Sequence, residues 1–219
     1  MIRGAIFDAD GTLFDSMPIW SGVGSGYLRS LGIEAREDLD ERFREMSLYQ
    51  SAVCLKEEYS LPLSIEKISD GINKMVEHFY AEVIELKPGV KAFLDELSRR
   101  GVKMCVASAT ESYQIRMALE RCGVAHHFLY VYSCDDVGHG KDEPVIFRTA
   151  LERLGTSRED SYVFEDAYYA IKTATTDGFK AIGIYDESML DLQEKILQLT
   201  DFYIKDYREL DKFWQFIDN

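Results

Sequence analysis

The sequence predicts an α/β fold, a three-layer protein with a parallel β-sheet between helices, interrupted by one all-helical insertion. Three observations predict it. Ile2–Asp8 is a short apolar run with β character. Residues 16–86 show helical periodicity and no convincing strand. From Pro88 onward, strand-like and helix-like segments alternate, a pattern that builds parallel sheets covered on both faces.

The insertion begins with Ile19, Trp20, Val23, Tyr27, Leu28 and Leu31, which share one helical face and are stopped by Gly32. Gly22, Gly24 and Gly26 fall inside this helix, where each costs roughly 1 kcal/mol relative to Ala. They do not fit a dinucleotide-binding glycine pattern, so they predict close approach to the core or room for a substrate. Phe43, Met46, Val53 and Cys54 suggest further helices. Ile65, Ile68, Ile72, Met75, Val76, Phe79 and Val83 keep a 3.6-residue period in one long helix.

After the insertion, Pro88-Gly89 opens a helix that runs to about Arg100 and ends at Gly101. Strands are expected at Val102–Ala107, Phe128–Tyr132, Tyr162–Phe164, Lys180–Ile184 and Phe202–Ile204. Helices are expected at Glu111–Cys122, Pro144–Leu154, Tyr168–Asp177 and Met189–Leu199. The boundaries fall near Ser16 and Lys87. Residues 1–15 and 87–219 would form the core, and 16–86 would be tethered to it at both ends, as a lid is.

Composition narrows the function. Asp and Glu number 39 against 25 Lys and Arg, a formal charge of −14, with no Lys/Arg-rich block. Nucleic acid is excluded, because it demands a clustered basic face. A small anionic substrate is not excluded, because a metal or a few local charges can reverse the field in a cleft. No apolar run approaches the length of a membrane span. Cys54, Cys105, Cys122 and Cys134 form no C-x-x-C pair, and no signal peptide is expected. The expectation is free thiols in a reducing cytoplasm. Oligomeric state is open, and a monomer fits.

In open parallel sheets the site lies beyond the carboxyl ends of the strands. The residues placed there are Asp8 and Asp10, then Ser108, Ala109 and Thr110, then Lys141, then Glu165 and Asp166. Several carboxylates in one place repel and cannot all ionise without compensation. A hard divalent cation such as Mg²⁺ resolves this and suits a site that receives phosphate. One carboxylate can then attack phosphorus. Another can protonate the leaving group and later deprotonate water. Lys141 would offset charge on the transferring phosphoryl group. Ser108 stands where a helix begins and is expected to cap it.

The ordered set Asp8-x-Asp10-Gly11-Thr12, Ser108, Lys141 and Glu165-Asp166 resembles the haloacid dehalogenase superfamily, in its β-phosphoglucomutase-like phosphatase branch. The resemblance covers nearly the whole chain. It implies a Rossmannoid core and a helical cap inserted after the first motif. It implies Asp8 as nucleophile and Mg²⁺ ligand, and Asp10 as general acid/base with its carbonyl on the metal. Ser108, Lys141 and the Ala109 N–H would hold the phosphoryl group, and Asp166 and Glu165 would complete the metal site. The substrate would be a small phosphorylated metabolite, with a sugar phosphate favoured.

The chain departs from the family pattern in places. Gly140-Lys141 is followed by Asp142-Glu143, expected in a helix first turn. Tyr168-Tyr169 adds aromatic bulk after the acid pair. Aligned through Glu45-Met46-Ser47, Leu48 takes the position of the cap arginine that grips a mutase substrate's second phosphate, and Arg44 is out of register. Thr12 and Glu111 stand where mutases tend to carry Val and a basic residue. These changes favour a phosphatase over a sugar-phosphate mutase. A non-catalytic binder of a phosphorylated metabolite is a further alternative. Trp20, Met46, Tyr49 and Gln50 are candidates to line the pocket.

Overall fold

The computed structural model describes residues 2–43, 46 and 48–218. In chain order, β1 is Gly4–Phe7, followed by α1 (Met17–Trp20), α2 (Val23–Ser30), α3 (Leu39–Phe43), α4 (Leu48–Glu58) and α5 (Ile65–His78). A π-helical turn, Phe79–Val83, continues α5. Then come α6 (Val90–Arg99), β2 (Lys103–Ser108), α7 (Ser112–Arg121), a 3₁₀ turn (Ala125–His127), β3 (Phe128–Ser133), α8 (Cys134–Val137) and α9 (Val145–Leu154). The chain ends with β4 (Ser161–Glu165), α10 (Tyr168–Thr176), β5 (Lys180–Ile184), a 3₁₀ helix (Glu187–Leu192), α11 (Gln193–Leu199), β6 (Phe202–Ile204) and α12 (Asp211–Asp218).

The six strands form one sheet in the order β3-β2-β1-β4-β5-β6, and every pairing is parallel. The order reverses at β1, which puts the crevice for a ligand at its carboxyl end. Both sheet faces are buried, so the central strands are continuously apolar rather than alternating. On one face Ala5, Phe7, Val106 and Phe164 pack on Val90, Phe93 and Leu97 of α6, on Ile115 and Leu119 of α7, and on Phe213 and Ile217 of α12. On the other, Ile6, Cys105, Ala107 and Val163 pack on Ile146, Phe147 and Ala150 of α9 and on Ala170 and Ala174 of α10. The expected three layers are present.

Between β1 and α6 the described residues contain no strand of a sheet. This helical segment has a small core of its own, with Tyr27, Leu28, Leu39, Ala52, Leu55, Ile68 and Ile72. Its two linkers pair with each other through Asp15 N–H to Glu85 O at 3.0 Å and Lys87 N–H to Leu13 O at 2.9 Å.

The structure corrects several expectations. The helix expected over Ile19–Leu31 is two helices, because Gly22 adopts φ +95° and breaks it. Gly24 and Gly26 face other helices of the segment rather than the sheet: a Cβ on Gly24 would lie 2.6 Å from the Phe43 ring, and one on Gly26 3.3 Å from Met75 Cε. The α-helix expected to reach Val83 stops at His78. The first half of Met189–Leu199 is 3₁₀. Asp142 and Glu143 are exposed and precede α9 rather than entering its first turn. Helix α12 went unanticipated, although Leu210, Phe213, Trp214 and Ile217 have helical spacing. The four cysteines are unpaired. No helix among the described residues is long and apolar enough to cross a membrane.

Candidate active site

Asp8 directly follows β1, and its N–H donates to Phe164 O of β4 at 2.9 Å. The chain then turns tightly, with the N–H groups of Leu13 and Phe14 returning to Ala9 O at 2.8 and 2.9 Å. Gly11 sits at φ +78°, and a Cβ there would collide with the Asp166 carboxylate. Thr12 Oγ1 donates to Asp166 Oδ1 at 2.9 Å. The Gly-Thr that follows the two acids therefore serves Asp166, 154 residues away. Glycine permits the turn and the close approach, and threonine orients the carboxylate.

Carboxylate oxygens of Asp8, Glu165 and Asp166 lie within 4.8 Å of one another, and all three residues are buried. Lys141, 3% exposed, reaches into them from the loop after α8. Its Nζ donates to Asp8 Oδ1 and, at 2.8 Å, to Glu165 Oε2. Glu165 Oε1 also accepts from Ala167 N–H at 3.1 Å. Three carboxylates against one ammonium leave two negative charges if all ionise. The protein shows this strain. Burial and the charge of Glu165 push the Asp8 carboxyl up to about 8 even with Lys141 alongside. Burial and the charges of Glu165, Asp8 and Asp186 raise Asp166 well above the carboxylate range. For Lys141, burial works against the charge, but Asp8 and Glu165 outweigh it and hold the ammonium well above its usual value. An all-oxygen donor set with an excess of two negative charges fits a hard divalent cation.

Asp10 lies at the pocket edge and accepts three hydroxyl hydrogen bonds. Ser16 Oγ and the Tyr80 hydroxyl donate to Oδ1 at 2.5 and 2.6 Å, and Thr110 Oγ1 donates to Oδ2 at 2.7 Å. Trp20 Nε1 donates to the Tyr80 oxygen at 2.9 Å. Burial and the Asp10 charge hold the Tyr80 phenol well above its usual value, so it keeps its proton and donates.

Ser108 ends β2, and its Oγ accepts from Thr110 N–H at 3.1 Å. It is not the cap of α7, whose N-cap is Glu111 with no side-chain cap bond. The pocket brings together Asp8, Asp10, Ser108, Ala109, Lys141, Glu165 and Asp166, so every residue expected at the strand ends meets the others. The helical segment supplies the opposite wall, including Trp20, Val23, Phe43, Met46, Leu48 and Ile72. Of the four expected lining residues, Trp20 and Met46 line it, while Tyr49 and Gln50 are exposed elsewhere on α4. Tyr169 also lines it. Arg44, Glu45 and Ser47 of the cap alignment lie outside the described residues. His139 is exposed and pairs with Glu143 at 3.3 Å. Asp95, His126 and His127 gather at the amino end of β3, away from this edge.

Sequence reasoning missed Ser16, Thr110 and Tyr80 as partners of Asp10. It also missed Lys87, whose Nζ meets the buried Asp186 at 2.8 Å beside the site.

Residues 5–184 match the family model for haloacid dehalogenase-like hydrolases. The chain belongs to this family. A phosphorylated carbohydrates phosphatase from Thermotoga maritima is 26% identical over 83% of this chain and 84% of its own length. A fructose-1-phosphate phosphatase from Escherichia coli is 27% identical, covering 83% of this chain and 95% of its own. The fold is shared with CbbY from Rhodobacter sphaeroides, solved with phosphate, at a TM-score of 0.84 and 23% identity over 96% of this chain and 97% of that one. A putative β-phosphoglucomutase from Thermotoga maritima has the same fold, with a TM-score of 0.71 and 23% identity over 98% and 99% of the two chains. The strand-end acids, the inserted helices and the family match agree on a hydrolase of this superfamily.

Proposed function

We propose that the chain is a Mg²⁺-dependent phosphatase of a small phosphomonoester, a sugar phosphate by preference, working through a phospho-Asp8 intermediate. The observation that carries this reading is the buried group of Asp8, Glu165 and Asp166, whose charge Lys141 only partly offsets. Asp8, Asp166, the Asp10 carbonyl and Glu165 would hold the ion. Bound there, Mg²⁺ supplies the missing positive charge, favours ionised Asp8 and neutralises phosphoryl oxygens.

The chain's own residues account for the rest. An Asp8 oxygen attacks phosphorus while the ester P–O bond breaks. Asp10 gives its proton to the departing oxygen, and in the second half takes one from the water that cleaves the aspartyl phosphate. Ser108 Oγ, the Ala109 N–H and Lys141 hold the phosphoryl oxygens. The helical segment over residues 16–86 acts as the cap that excludes bulk water. Among the described residues lining the pocket, Lys141 is the only Lys or Arg, and Leu48 stands in the cap wall. Among the described residues a second phosphate meets no cation there, which supports a monophosphate substrate and hydrolysis over the mutase reaction. The carbohydrate phosphates named for the two curated relatives support a sugar phosphate.

The test is phosphate release from sugar phosphates, phosphoglycolate and nucleoside monophosphates, with Mg²⁺ and with EDTA, beside Asp8→Asn. Release that needs Mg²⁺ and is absent from the variant is the expected result. Conversion of a hexose phosphate to its isomer without net release would mark a mutase. Binding of a substrate without turnover would mark a binder.

A further inference from the structure

We propose that Tyr80 is a positioning residue for the acid/base Asp10, holding Oδ1 still so that Oδ2 is the oxygen that carries the proton. The proposal rests on the phosphatase reading above. Oδ1 accepts from both Ser16 and Tyr80, whereas Oδ2 accepts only from Thr110 among the described bonds. Tyr80 is fully buried. Its hydroxyl has one proton to give: Asp10 Oδ1 at 2.6 Å is a nearer acceptor than Thr110 Oγ1 at 3.3 Å, and the Trp20 indole N–H donates to the tyrosine oxygen at 2.9 Å. The aliphatic hydroxyl of Thr110 can rotate as the proton on Oδ2 comes and goes. In the first half-reaction the proton leaves Oδ2 for the ester oxygen as the P–O bond breaks and the Asp8–phosphorus bond forms. In the second, the water oxygen bonds to phosphorus, its proton returns to Oδ2 and the Asp8 O–P bond breaks. Trp20 is also part of the substrate wall, so the chain Trp20–Tyr80–Asp10 joins the pocket surface to the proton donor.

The experiment measures kcat/KM of the Mg²⁺-loaded full chain for a series of substituted phenyl phosphates of graded leaving-group acidity and near-constant shape. Good leaving groups need little help from an acid, and poor ones need it most. General acid–base assistance as a whole is worth about 10²–10⁴-fold. Tyr80→Phe is expected to lose about tenfold on phenyl phosphate and about twofold or less on 4-nitrophenyl phosphate, steepening the leaving-group dependence at unchanged KM. A uniform loss across the series, or no loss, overturns the proposal, because a merely structural role does not discriminate leaving groups. Ser16→Ala removes the other Oδ1 donor without touching the pocket wall and is expected to steepen the series in the same sense. It carries the test if Tyr80→Phe does not fold, and an unchanged slope in it then overturns the proposal. A wild-type enzyme that turns over no member of either substrate set overturns the phosphatase reading and the Tyr80 role with it. Wild-type turnover with unaltered slopes in the variants overturns the Tyr80 role alone.

Discussion

Asp8→Asn is expected to abolish turnover and yet to stabilise the metal-free protein. The folded-state carboxyl is pushed from 3.8 up to about 8, first by burial and then by Glu165. A carboxyl raised on folding contributes stability that is complete below its unfolded value and is lost as pH rises through the folded one. Metal-free wild type should therefore lose stability between about pH 4 and pH 8. At pH 7, keeping the Asp8 proton costs (7 − 3.8) × 1.36, about 4 kcal/mol. Asn removes that cost and keeps an oxygen for Lys141. Its buried NH₂ needs a new acceptor, which offsets part of the gain, so we take about half, near 2 kcal/mol. For a chain of 219 residues this is roughly 4–8 °C in melting temperature. The assay is a melting curve in EDTA at pH 5 and pH 8, repeated with Mg²⁺. The variant should melt above wild type at pH 8, and the gap should narrow at pH 5. Mg²⁺ should raise wild type more than the variant, because a ligand stabilises only the state that binds it. A variant that melts below wild type in EDTA at pH 8 would refute the charge-excess argument on which the metal site rests.

Three further outcomes follow from the geometry. Burial and Asp135 push Glu111 up to about 7, so Glu111→Gln should stabilise the protein above pH 7 and make no difference below about 4.5. Because solvent screens this partly exposed group, we expect about 1 kcal/mol, read from urea melts at the two pH values. In Gly24→Ala the new methyl meets the Phe43 ring at 2.6 Å, which should cost about 1–3 kcal/mol despite the better helix propensity. It should also change KM, since Phe43 lines the pocket. Leu48→Arg puts a cation in the cap wall and should raise kcat/KM for a hexose bisphosphate relative to the monophosphate by about tenfold, measured by phosphate release.

The candidate edge was legible because all its residues except Lys141 end or directly follow a strand. In a parallel sheet all carboxyl ends share one edge, so Asp8, Ser108 and Glu165 were bound to meet once the strands were recognised. The hydroxyl brace on Asp10 was not legible. Tyr80, 70 residues away, belongs to no motif, and Thr110, 100 residues away, stands at the same edge as Ser108 with nothing in the sequence to pair it with Asp10. The 3.6-residue period also pointed the wrong way. It put Val83 on the apolar face, yet Val83 is 48% exposed and Tyr80 is fully buried. The π-helical turn over Phe79–Val83 is the cause: its extra residue per turn shifts the buried face, and such turns occur often at functional sites. The break at Gly22 was hidden for a related reason. The apolar spacing continues across it, and only the backbone angle departs.

The hydrogen bonds divide the site in two. Asp8, Glu165 and Asp166 are tied to Phe164, Lys141, Ala167 and Thr12, all on the sheet or the loops at its edge. Asp10 is tied through Oδ2 to Thr110 at the sheet edge, and through Oδ1 to Ser16 on the first linker to the helical segment and to Tyr80 just before the second. Those linkers are bonded to each other at Asp15–Glu85 and Leu13–Lys87. A displacement of the helices over the pocket therefore reaches Asp10 Oδ1 through Ser16 and Tyr80 before it reaches Asp8, while Thr110 keeps Asp10 Oδ2 on the sheet edge. On the proposed reading, the sheet edge keeps the charges that would receive a phosphoryl group fixed while the helical segment moves. Loss of the cap's grip should then spare phosphate binding and tell on proton transfer, the same division that the leaving-group series resolves.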